Sequence, residues 1–177
     1  MLFLVLWLVA LVAATVHVRV RGEKDPQQRA ATYFLYQLVL GFGVMGLITF
    51  AGHVFNPAQT AARIGWPPSP EFQRELGFFE LGYALAAFLG LVIRNRYYWL
   101  GALISPGFFL LTAGLNHVLQ SVRGDLAAYN VWTSLPDILI PLTAGWFLMR
   151  VFRLEPGPAT ALPRPADSLK PQLKSSP

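Results

Sequence analysis

The feature that most constrains this chain is the recurrence of apolar runs about 20 residues long, the length of helix needed to cross a hydrocarbon layer of about 30 Å. Five such runs are present: Leu2–Val18, Thr32–Val54, Phe72–Ile93, Trp99–Gln120 and Val131–Phe152. In hydrocarbon every backbone N–H and C=O must find its partner within the chain, so runs of this length fold as helices. The expected fold is therefore all-α, a polytopic membrane bundle of five transmembrane helices within residues 1–153. Composition agrees, because 54% of the residues are hydrophobic and only 13% charged, about half the charge of an ordinary soluble domain. After Arg153 the chain turns rich in Pro, Ser and Lys, and residues 154–177 read as a disordered tail with no apolar period.

The first run also has the length of a secretory signal peptide. A signal peptide carries its positive charge before the apolar stretch, whereas Arg19 and Arg21 follow it here, so the run is read as a retained first span. Lys and Arg concentrate in cytoplasmic loops, and in this chain they alternate by side. Eleven of the 14 fall on one side: Arg19, Arg21, Lys24, Arg29, Arg94, Arg96, Arg150, Arg153, Arg164, Lys170 and Lys174. Only Arg63, Arg74 and Arg123 fall on the other. The expected orientation in a bacterial cytoplasmic membrane has the N-terminus outside and the tail in the cytoplasm.

Several function classes are excluded at this stage. The net charge of +5 comes from basic residues scattered between apolar runs, not gathered on one face, which argues against nucleic acid and for the lipid bilayer as partner. With no cysteine there are no disulfides, thiolate zinc sites, iron–sulfur clusters or cysteine nucleophiles. Gly-x-Ser-x-Gly, the phosphate-binding loop and His-Glu-x-x-His are all missing from the sequence. Five helices without an inverted repeat are few for a transporter, so transport would require a homo-oligomer.

Ionisable groups inside a span cost about 3 kcal/mol and need a partner or a reason. Here they gather toward one membrane face: His53 ends the second run, Glu75 and Glu80 open the third, Asn116, His117 and Gln120 end the fourth, and Asp137 opens the fifth. With the orientation above, this is the outer half. Helical spacing puts Thr112, Asn116 and Gln120 on one stripe, expected to face other helices, and sets His53 in line with Gly46 and Thr49. On the third run, Glu75 lies with Glu71 and Gly82, whereas Glu80 lies about 140° around with Gln73, Leu76 and Tyr83. The set expected to converge is His53, Glu75, His117 and Asp137, one residue from each of four helices.

Three kinds of function fit this set. Two imidazoles with one or two carboxylates can hold a divalent metal ion such as Zn, Fe or Mn, or bind a small ligand, or relay protons. His53 and His117 at matching depth could instead hold a b-type haem. The third kind is a structural or assembly subunit with no chemistry, in which the same residues only pack helices.

One stretch carries a resemblance. Gly52-His53, followed by Ile64-Gly65-Trp66 and by Ser69-Pro70-Glu71-Phe72-Gln73-Arg74-Glu75-Leu76-Gly77, is similar to the pattern of an uncharacterised family of small bacterial and archaeal multi-pass membrane proteins, a domain of unknown function. Gly114…His117 and Asp137…Pro141 match its later parts, so the likeness covers most of residues 30–150. Glu71 is inserted between Ser-Pro and Phe-Gln, and Leu76 stands where Val is usual. The resemblance implies a helical membrane bundle with His53, Glu75, His117 and Asp137 as its polar signature, and it implies no reaction.

Overall fold

The computed structural model describes residues 1–126 and 128–154. The tail expected to be disordered lies, apart from Leu154, outside the described residues. Six helices follow one another with no strand among the described residues: α1 (Leu2–Val20), α2 (Pro26–Phe55), α3 (Pro57–Ile64), α4 (Pro70–Leu89), α5 (Arg96–Val122) and α6 (Ala128–Arg153). The all-helical membrane fold is thus as the apolar runs predicted.

Local chemistry sets most of the boundaries. Asp25 caps α2, its side chain accepting from the Gln27 N–H at 2.9 Å, and Pro26 occupies the first turn, where a missing N–H costs nothing. Asn95 caps α5 by accepting from the N–H groups of Tyr97 and Tyr98. Gly65 ends α3 in the left-handed region, φ +82°, which a side chain would strain. The segment expected as a loop between the second and third spans therefore contains the short helix α3.

Helices α1, α2, α5 and α6 are long and apolar enough to cross a membrane. Helix α4 has the length, 20 residues or about 30 Å, but Glu71, Arg74 and Glu75 crowd its first turns and Glu80 lies at its middle. It runs antiparallel to α2 and packs one face on it, with Gly77 against His53 at one end and Gly90 against Leu38 at the other, while Phe72, Phe78, Leu85 and Leu89 on its other face are exposed. Four of the five expected spans are thus strongly apolar helices, and the fifth, α4, buries Glu80 while Glu71, Arg74 and Glu75 stay exposed.

The closest packing joins α2 to α4 and α5 to α6, and small residues make it possible. A Cβ on Gly46 would sit 2.6 Å from the Tyr83 ring, and one on Gly114 would sit 2.8 Å from Ile138. On α5 the inward row is Leu103, Gly107, Leu110, Gly114 and His117, spaced four and three in alternation, which keeps one seam of the helix against α6. The expected stripe of Thr112, Asn116 and Gln120 is displaced from that seam. Thr112 and Asn116 are exposed, and the Thr112 hydroxyl bonds back to its own helix at Phe108 and Phe109. Within α2, residues Leu38–Val44 (Leu-Val-Leu-Gly-Phe-Gly-Val) wind as π-helix. Leu38 and Phe42 of this segment belong to the core cluster, together with Phe34, Met45, Trp99 and Ile140.

Candidate functional site

The polar residues sort into two hairpins built alike. In the first, α2 delivers His53 near its end, and α4 returns with Gln73 and, two turns on, Glu80. In the second, α5 delivers His117 near its end, and α6 returns with Asn130 and, two turns on, Asp137. A separation of seven residues places amide and acid on the same helix face, and in each hairpin that face meets the imidazole.

The two geometries nearly coincide. His53 Nδ1 lies 2.6 Å from the Gln73 side-chain oxygen and its Nε2 lies 3.8 Å from Glu80. His117 Nδ1 lies 2.8 Å from the Asn130 side-chain oxygen and its Nε2 lies 3.9 Å from Asp137. An amide oxygen only accepts, so each Nδ1 carries the proton and each Nε2 is turned toward a carboxyl. In the second hairpin the amide is oriented from behind, because the Asn130 NH2 donates to the Asp125 carboxylate at 2.8 Å. The gaps of 3.8 and 3.9 Å exceed a direct hydrogen bond and lie within reach of a small side-chain rotation or one bridging water.

All four ionisable groups are withdrawn from the surface: His53 and His117 are each 5% exposed, Glu80 4% and Asp137 6%. Both pairs border one cavity of about 280 Å³, with Thr49, Tyr83, Asn116 and Trp66 also in its wall. The second Glu80 carboxyl oxygen and the Tyr83 hydroxyl are buried there without a hydrogen-bond partner among the described residues. A volume near the lower limit of small-molecule pockets suits water or a small polar solute and is cramped for a haem.

Of the residues singled out from sequence, the structure brings together His53, Glu80, His117 and Asp137, with Asn116 at the cavity wall. Glu75 is not among them. It is exposed on the opposite side of α4, with Glu71 and Arg74, because the face carrying Gln73, Gly77, Glu80 and Tyr83 packs inward. Among the described residues no three His, Asp or Glu side chains gather as a metal site requires. The arrangement is two imidazole–carboxyl pairs in place of the expected four-ligand set. Gln73 and Asn130 are the partners that sequence reasoning did not single out. Their signal is the repeated amide-x6-acid spacing that follows each histidine.

No curated protein matches the chain, and no solved structure does. A family model covers residues 1–157. The chain belongs to that family, described as a family of unknown function (DUF6790).

Proposed function

We propose that this integral membrane protein takes up and releases protons at two histidine–carboxyl pairs facing one small polar cavity, in the outer half of a cytoplasmic membrane. The observation behind this reading is the shared construction of the two pairs. Each imidazole has its Nδ1 proton committed to an amide, so one further proton is divided between Nε2 and the facing carboxyl. Such a pair is a competent relay, and two of them on a cavity of about 280 Å³ give a place where protonation and a small polar solute influence each other.

An infrared titration of the purified chain in bilayers tests the reading. A carboxyl C=O band should appear and vanish as pH is moved through about 5 to 8, the range in which imidazoles exchange protons. Glu80→Gln should remove one part of the band and Asp137→Asn the rest. His117→Gln, which keeps size and hydrogen bonding, should alter the pH at which the Asp137 part changes while the protein still folds. A band indifferent to pH in the native chain would leave the pairs as helix-packing contacts and make the protein a structural or assembly subunit. Elemental analysis of the same sample reads the metal alternative directly.

A further inference from the structure

A second, larger cavity of about 920 Å³ lies at the opposite end of the bundle. The end of α1 contributes His17 and Arg21, the first turns of α2 contribute Gln28, Thr32 and Tyr36, and the turn between α4 and α5 contributes Arg94 and Arg96. Its charge is of one sign, since the lining holds three arginines and no Asp or Glu. Among the described residues none of the three guanidiniums stands within ion-pair distance of a carboxylate.

Arg96 is held in place by apolar contacts, its guanidinium 5.3 Å from the Tyr97 ring and 5.2 Å from the Phe152 ring. Its charge is therefore fixed at the cavity edge at little further entropic cost on binding. Below the charged rim the wall is hydrocarbon: Leu35, Val39, Leu40 and the edge of Trp99. Val39 and Leu40 belong to the π-helical segment of α2, a geometry found in proteins mostly where a helix is adapted to a site.

Cationic rim and apolar wall together describe the complement of an anion that carries a hydrocarbon chain. Guanidinium groups bind phosphate oxygens in bidentate fashion, and basic pockets between membrane helices are suited to lipid headgroups. We propose that this cavity binds the phosphate headgroup of an anionic membrane lipid, with an acyl chain along Leu35, Val39 and Leu40. The site is separate from the histidine–carboxyl pairs and stands or falls without them.

The test uses the full chain, delipidated in detergent, with phosphatidylglycerol, phosphatidylcholine and inorganic phosphate as probes, and native mass spectrometry and thermal unfolding as readouts. Phosphatidylglycerol should bind more tightly than phosphatidylcholine, and inorganic phosphate alone should raise the unfolding temperature little. Arg21→Gln and Arg94→Gln should each weaken phosphatidylglycerol about fivefold, while Arg29→Gln, exposed at the same end but outside the cavity, should leave it unchanged. Unfolding temperatures without lipid report whether each variant folds. If Arg94→Gln does not fold, Arg21→Lys keeps the charge, loses the bidentate fork and should give an intermediate loss. Equal binding of the two lipids overturns the proposal, as does an Arg29→Gln effect equal to that of Arg21→Gln, which would be diffuse surface charge. Inorganic phosphate binding as well as phosphatidylglycerol would make the site one for soluble phosphate and overturn the lipid assignment.

Discussion

At the scale of single residues, the distance between each imidazole and its acid is set by a glycine. Gly77 lets α4 lie against His53, where an added Cβ would stand 3.1 Å from the His53 Cβ and 2.7 Å from Val54. Gly114 does the same in the second hairpin, where an added Cβ would stand 3.1 Å from the Asp137 Cβ and 3.1 Å from the Ser134 carbonyl oxygen. That carbonyl belongs to the α6 backbone and cannot rotate away, so Gly114→Ala must spread α5 from α6. Overpacking of this kind costs about 1–3 kcal/mol. Gly82, on the open side of α4, has nothing within 4 Å of its added Cβ, and there alanine gains helix propensity of up to about 1 kcal/mol. Thermal unfolding in detergent should therefore place Gly114→Ala below the native chain and Gly82→Ala at or above it. The reverse order would contradict the close approach of the two helices.

At the scale of elements, the apolar runs made four helices legible, because crossing a bilayer leaves the backbone no other choice, although α2 begins at Pro26, well before the expected Thr32. Which side of each helix faces its neighbours was harder to read. Lipid and bundle interior are both apolar, so hydrophobic periodicity loses the contrast it has in water, and only polar residues mark the inner face. His53, His117 and Asp137 marked it correctly. Helix α4 offered two acidic faces, and Glu75 lies on the one that reaches outward from the first turns of the helix, beside Arg74 and Glu71. Gln73 and Glu80 decide between them once the spacing is set beside that of Asn130 and Asp137. The π-helical turns of α2 take up about one extra residue without rotating the flanking faces, so no single α-helical period puts both Phe34 and His53 inward, although both are buried. A deletion follows from that. Removing Val39 from within Leu38–Val44 should convert these turns to ordinary α-helix and keep both the Phe34 and the His53 faces inward. Removing Ile48 from the regular helix beyond it should rotate His53 away from Gln73 by about 100°. Fluorescence-detected size-exclusion chromatography should show a folded peak for the first deletion and loss of it for the second, and equal damage from both would contradict the register argument.

At the scale of the whole molecule, the two ends of the bundle are chemically unlike. One end gathers the histidine–carboxyl pairs around the cavity of about 280 Å³. The other gathers Arg21, Arg94 and Arg96 around the larger cavity, and the Gln27 side chain ties the start of α2 to the end of α6 by donating to the carbonyls of Val151 and Leu154. Segments far apart in sequence thus meet at the basic end, the same segments that the distribution of Lys and Arg assigns to one side of the membrane. Basic residues near the ends of helices resist translocation. Eleven of the 14 Lys and Arg lie toward this end in the sequence-based topology, against Arg63, Arg74 and Arg123 toward the other. The basic end is accordingly expected in the cytoplasm, with Met1 and the histidine–carboxyl cavity toward the outside. A reporter fused after Pro177 that is active only outside the cytoplasmic membrane should stay silent, and the same reporter placed ahead of Met1 should be active. If the two results are exchanged, the paired sites face the cytoplasm, and the solute and protons they meet come from inside the cell.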